Sequence, residues 1–316
     1  MPISIFYSQS YNDIPESFDT FTKADEVAKL VQGITNPTLA LCQPRPATAA
    51  ELQEVHDQEY LDALRTGLPL DLATSNTLGW YEGLLAAVAA STGGLRDAAL
   101  EALESGTSST AATRNAGSLS SGLHHASYER GNGYCTINGL VIAARAALDA
   151  GAKRVLILDL DAHCGGGTAG LIDGLVGVEQ LDVSVNGFDS YPAREDAQLT
   201  VVGNSSAYLD TIAEQLGAIP QPEGIDLILY NAGMDPHEHS GGMSGITSPV
   251  LERREQMVFE FAAVHDIPVA FTLAGGYTGY GLTLEEVAQL HMLTILAAAT
   301  SATGAQAATG AQFESQ

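Results

Sequence analysis

Residues 154–161, RVLILDLD, constrain this chain more than any other stretch: an unbroken apolar run that ends on two aspartates. Apolar side chains at successive positions leave no polar face, so a strand built from them must be covered on both sides. Two further runs read the same way, 225–232 (IDLILYNA) and 267–274 (IPVAFTLA). Helical patterns stand around them at 138–150, closed by Gly151 as a C-cap, at 251–265 and at 284–299. Strand, helix, strand at these lengths implies right-handed crossovers and a parallel sheet. The expected fold class is therefore α/β: a single domain whose central parallel β-sheet is sandwiched by helices. In such sheets the reactive groups gather beyond the carboxyl ends of the strands. The segment from Asp159 to His163, then Asp235 and Tyr277, each follow the end of an apolar run.

Elsewhere the chain is less explicit. A helix is expected over 48–66 and a long Ala-rich one within 77–105, while 105–121, rich in Gly, Ser, Thr and Asn, reads as loop. No repeat or internal linker divides the chain. One catalytic domain is expected over 1–299, and the low-complexity tail 300–316 is expected to lack fixed structure.

Charge narrows the partners. Thirteen basic residues against 38 acidic ones give a net charge of −25. No basic stripe exists to displace counterions from a phosphate backbone, so nucleic acid is not an expected partner. The field would instead draw in cations and cationic substrates, or serve solubility alone. Cys42, Cys135 and Cys164 have no scaffold spacing and fit a reducing compartment. Residues 1–8 carry no basic segment followed by an apolar run, and no apolar stretch is long enough to span a bilayer. A cytoplasmic location without a membrane partner is the expectation. Oligomeric state is not legible.

The chemistry centres on Asp159-Leu-Asp161-Ala-His163. Two carboxylates and an imidazole at a strand end either hold a cation or leave unpaired charge, which is costly. Asp and His together suit zinc or a similar divalent ion, although an aspartate can equally cap the turn that follows. Asp235, in NAGMDP, could supply a third ligand and leave one coordination position open, as catalytic sites do. The adjacent His124 and His125 lie in a glycine-flanked loop. An imidazole there could take a proton from an attacking water and return it to a leaving amine, or the pair could be ordinary hydrogen-bonded loop histidines. Gly275-Gly276-Tyr277 offers close backbone approach and a hydroxyl able to donate to a developing oxyanion.

Taken together, GLHHA (122–126), GYCTIN (133–138), LDLDAHCGGGT (158–168), NAGMD (231–235) and AGGYT (274–278) fall in the order seen in one superfamily. The chain resembles histone deacetylases, acetoin-utilisation proteins and acetylpolyamine amidohydrolases, and HDQEYLDAL at 56–64 extends the likeness. The resemblance implies an arginase/deacetylase-like fold and zinc-dependent hydrolysis of a linear acyl amide, with an acylated amine, a small molecule or a lysine side chain, as substrate. It implies Asp161, His163 and Asp235 as zinc ligands and His125 as general base and acid. His124 is implied as its electrostatic neighbour, paired with Asp159, and Tyr277 as the polariser of the carbonyl. Gly133 and Tyr134 match one wall of a substrate tunnel, with Tyr191 in FDSYP expected opposite and Gly275 and Gly276 beside it. A monovalent cation, K+, is implied near Asp159 and Ser184.

The sequence also departs from that pattern. Where the family reads HHGDG or HHGNG, this chain has His163-Cys164-Gly165-Gly166-Gly167, so the polar residue that would orient His125 is missing at Gly166. Asn186 stands where many members have histidine. His237 and His239 are unexpected after Asp235 and read best as solvated, and Asp71 reads as a solvated loop carboxylate near a possible rim. Two other readings compete: a binuclear manganese ureohydrolase, which would want more aspartates than NAGMDPHEH offers, and a catalytically impaired protein that binds acylated ligands or other proteins.

Overall fold

In the computed structural model, which describes residues 2–12, 19–34, 39–107 and 114–313, eight strands form one sheet. They are β1 (Ile3–Phe6), β2 (Leu39–Cys42), β3 (Asn115–Ser118), β4 (Val155–Asp159), β5 (Val178–Ser184), β6 (Ala197–Val201), β7 (Leu227–Gly233) and β8 (Val269–Ala274). The helices are α1 (Asp19–Gly33), α2 (Ala49–Gln53), α3 (Gln58–Thr66), α4 (Leu70–Ala73), α5 (Leu84–Thr107), α6 (Gly139–Asp149), α7 (Gly166–Ile172), α8 (Tyr208–Gly217), α9 (Ser248–Val264) and α10 (Leu284–Phe313). The strand order is β2-β1-β3-β8-β7-β4-β5-β6, and every pairing is parallel.

The apolar runs behave as their composition demands. Along β4, Val155 and Ile157 join one core, while Leu156, Leu158 and Leu160 join the core on the opposite face. The same alternation sends Leu227 and Leu229 one way and Ile228, Tyr230 and Ala232 the other. One core packs α5 and α6 against the sheet; the other packs α1, α8, α9 and α10. Full burial of each such side chain contributes roughly 1.5–3 kcal/mol, so the middle strands are the rigid part of the molecule. Among the described residues no helix is long and apolar enough to cross a membrane.

Three sequence expectations change. The single helix over 48–66 is two, because Thr48 caps α2 with a Thr48–Glu51 capping box and Asp57 caps α3 anew. Residues 115–118, expected as loop, form the central strand β3; its Gly117 lies under the Phe271 ring, whose atoms approach within 2.2 Å of where a Cβ would stand. The last helix continues past Ala299 to Phe313, through an Ala-rich stretch with good helix propensity.

Candidate active site

β8, β7 and β4 are neighbours in the sheet, so their carboxyl ends open into one place. β4 stops at Asp159, and the chain then turns so that Asp161 and His163 face Asp235, which lies two residues beyond β7. His163 Nδ1 stands 3.3 Å from Asp161 Oδ1 and 3.1 Å from Asp235 Oδ2. One ligand atom from each of the three lies within 4.8 Å of the others. A tetrahedral ion with bonds of about 2.0–2.1 Å needs ligand separations near about 3.3 Å, so the spacing suits zinc. Among the described residues this is the cluster able to hold a metal. The backbone secures it: Asp161 Oδ1 accepts the His163 N–H at 3.0 Å, and Asp235 Oδ1 accepts the Ala162 N–H at 3.0 Å. Gly275 has φ +45°, and a Cβ there would stand 2.2 Å from the Asp235 carboxylate, so AGGY is the sequence that lets β8 close against this corner.

Asp159 does not join that cluster. Its Oδ2 accepts a hydrogen bond from His124 Nδ1 at 2.7 Å, and its Oδ1 accepts from Asn231 Nδ2 at 2.9 Å and the Asp161 N–H at 3.1 Å. His124 and His125, on the loop after β3, bring their Nε2 atoms to 3.1 Å from each other. His125 Nδ1 bonds Asp189 Oδ2 at 2.8 Å. One of the two facing nitrogens must carry the proton. Burial alone would keep His124 neutral, but the Asp159 and Asp161 charges outweigh it and push its pKa up to about 10. Burial, then the His124 charge, pushes His125 down to about 4 despite the Asp189 bond. His124 is thus the cation and donor, and His125 the neutral acceptor.

Charge in the triad follows the same logic. Against burial, bonds to Asp161 and Asp235 raise His163 to about 11. Asp161 is held below the usual carboxylate range because His124 and His163 overcome its burial, whereas burial and the Asp161 charge push Asp235 up. An imidazolium here fills a place between carboxylates that suits a metal cation.

Above the triad is an open cavity of 610 Å³ whose walls include Gly133, Tyr134, Phe188, Tyr277 and Tyr280. Beneath it, bounded by Leu123, His124, Cys135, Ala274, Gly275 and Tyr277, lies a recess of only 20 Å³. Gly133 and Tyr134 line one side of the cavity. The opposite wall is Phe188, whose ring meets His125 edge-on at a centroid distance of 5.0 Å and His163 at 5.9 Å. Tyr191, expected in that position, instead bonds Gln180 Nε2 at 2.9 Å and the Gln198 carbonyl at 3.1 Å. Its hydroxyl is drawn to buried Gln180 of β5 and to the Gln198 carbonyl of β6, and Tyr191 is not among the residues lining the cavity.

Other expectations also shift. His237 is buried, its Nε2 bonded to Ser248 Oγ at 3.2 Å and its Nδ1 accepting the His239 N–H at 3.1 Å, so it is structural rather than solvated. His239 is exposed. Asp71 lines a separate acidic hollow with Asp57, Glu59 and Glu129. Asp159 and Ser184 are linked through Asp182, in register with Asp159 on β5 and accepting a 2.5 Å bond from Ser184 Oγ. Burial and the Asp159 charge push Asp182 up to about 7.

Asp182, Phe188 and Asp189 escaped the sequence reading. The acid in QLDVS breaks the apolar pattern of a strand, and that alone marked Asp182. Phe188 and Asp189, in NGFDSYP, carry no such mark, because an aromatic and an acid in a loop become distinctive only when the fold turns them toward His125.

Comparison with known proteins agrees with this fold. A model of the histone deacetylase domain matches residues 21–294. An uncharacterised protein of Picosynechococcus sp. is 33% identical over 255 residues, 78% of this chain and 82% of its own. Histone deacetylase 2 of Arabidopsis thaliana is 28% identical over 298 residues, 87% and 74% of the two chains. The crystal structure of the HDA15 HD domain superposes with a TM-score of 0.70 at 19% identity, covering 96% of this chain and 95% of that one. The chain belongs to the histone deacetylase family.

Proposed function

We infer that this protein is a zinc-dependent deacylase that hydrolyses a short-chain acyl amide of an amine, as family membership in a group of amide hydrolases supports in outline. The observation that carries the reading is the Asp161–His163–Asp235 cluster, its two carboxylates buried and its imidazole open toward the cavity, with a neutral His125 beside it. Asp161, His163 and Asp235 would hold the ion, which when bound supplies Lewis acidity toward the carbonyl and toward a water.

The protein's own groups account for the rest. His125, kept unprotonated by burial and by the His124 charge, accepts a proton as water attacks the acyl carbon. The same imidazole then returns that proton to the amine nitrogen as the C–N bond breaks, releasing carboxylate and free amine. Tyr277, lining both cavity and recess, donates to the carbonyl oxygen as charge develops there. Tyr134 and Phe188 grip an aliphatic stem between aromatic faces. A recess of 20 Å³ accepts little more than a methyl group, so acetyl is favoured over long acyl chains.

The test is elemental analysis of the purified protein, together with assays on an acetyl-lysine peptide, acetylated polyamines and their octanoyl counterparts. One zinc per chain, turnover of acetyl substrates, and loss of zinc and turnover in Asp161→Ala are expected. Zinc without turnover of any of these amides would move the reading to a ligand-binding protein. Two manganese ions per chain would move it to a ureohydrolase.

A further inference from the structure

The glycine at 166 leaves His125 without the polar neighbour that the HHGDG and HHGNG patterns provide from that position. We propose that Asp189, on the loop after β5, is the positioning residue for His125 and takes over that role from a different part of the chain. The inference rests on the deacylase reading for its catalytic consequence, though not for its geometry.

Three observations carry it. First, Asp189 Oδ2 stands 2.8 Å from His125 Nδ1 and also accepts the Gly167 N–H at 3.2 Å, so the carboxylate bridges the histidine loop and the triple-glycine loop. With Nδ1–H donating to Asp189, the His125 Nε2 lone pair is left free of a proton and able to accept, in this structure from the His124 Nε2–H at 3.1 Å.

Second, the two positions exclude one another. A Cβ at Gly166 would stand 2.3 Å from the Asp189 carbonyl oxygen and 2.8 Å from its carboxyl carbon. The absence of a side chain at 166 is what admits Asp189. An acid at 166 and Asp189 in its present place cannot coexist without a shift of backbone.

Third, the loop is held. The Cys164 N–H donates to the Phe188 carbonyl at 3.0 Å, and the Phe188 N–H donates to Asn186 Oδ1 at 2.9 Å. Asn186 pairs with His163 as an isolated parallel bridge. Asp189 itself has φ +59°, a left-handed backbone that an aspartate tolerates but does not prefer, kept because the surroundings fix it.

The experiment combines kinetics with imidazole NMR. In Asp189→Ala, kcat for an acetylated substrate should fall about 10- to 100-fold, with KM changed less than about twofold, since the substrate walls are intact. Asp189→Asn keeps the acceptor oxygen and should recover most of that loss. Gly166→Asp should lower kcat rather than raise it, because the new side chain displaces Asp189. In the metal-free protein, ¹H–¹⁵N spectra should find the His125 Nδ1–H proton strongly deshielded by its carboxylate partner in wild type and shifted upfield, with faster exchange, in Asp189→Ala. His56, remote on the α2–α3 turn, serves as the unchanged reference. An unaltered Nδ1–H shift and exchange rate in Asp189→Ala, or a kcat within about twofold of wild type, overturns the proposal. If the wild type hydrolyses no acyl amide, the deacylase reading fails, while the Nδ1–H result still decides the role of Asp189.

Discussion

Asp182 has its carboxyl at the centre of a buried polar knot, accepting bonds from the Gly165 N–H at 2.7 Å and from Ser184 Oγ. Burial and the neighbouring Asp159 charge push its pKa up to about 7, above the ordinary carboxylate value of about 4. A raised pKa in the folded state means that the stabilising protonated form is fully present below about pH 4. That contribution is lost as pH rises through about 7. Asp182→Asn, which stays neutral, should therefore gain in melting temperature relative to wild type as pH is raised across this window. Paired thermal melts at pH 5 and pH 8 read this directly, and a difference that does not change with pH would refute the assignment. Asp182 and Asp189 share a lesson about legibility. Each acts through a partner distant in sequence, His125 or Asp159, and no spacing rule connects residues that meet only after the sheet has formed. Asp161, His163 and Asp235 were legible because each follows an apolar run at a fixed short offset.

At the scale of elements, the corner that bears Asp161, His163 and Asp235 is braced from behind by α9. Arg254, fully buried, donates to the Leu160 carbonyl at 3.1 Å and to Tyr208 Oη at 3.2 Å, and pairs with Glu255 at 2.5 Å. It thereby ties α9 to the turn after β4 and to α8. Removing one partner of such a pair strands the other charge in the core. Arg254→Ala should cost about 3–5 kcal/mol in a urea titration, whereas the double change Arg254→Met with Glu255→Gln should cost much less. Similar losses in both would assign the effect to packing instead. The middle strands β4, β7 and β8 were readable from the sequence because burial on both faces leaves an unmistakable apolar run. β3 and β5 were not, for opposite physical reasons. β3 must be small where Phe271 crosses Gly117, and β5 carries Gln180 and Asp182 inward to serve polar partners.

Across the whole molecule, 38 acidic residues against 13 basic ones produce a field that reaches well beyond the site. A cationic acetylated polyamine should be drawn in by it, and a neutral acylated amine should not. Raising ionic strength from about 0.01 M to about 0.15 M shortens the screening length from about 30 Å to about 8 Å. The kcat/KM for the polyamine should fall severalfold over that range while the neutral substrate changes little. Equal responses would point to an effect of salt on the protein itself. The family match over residues 21–294 and the parallel sheet account for where the site must lie, yet they leave its outer wall to the loop after β5. That loop places Phe188 and Asp189 side by side, one in the wall of the cavity and one against His125. Two traits that could otherwise drift apart, what the tunnel admits and how fast the proton moves, are therefore inherited together. A lineage or an engineer that widens the mouth by reshaping this loop will also retune the base. New specificity here should come with a change in rate unless position 166 changes in the same step.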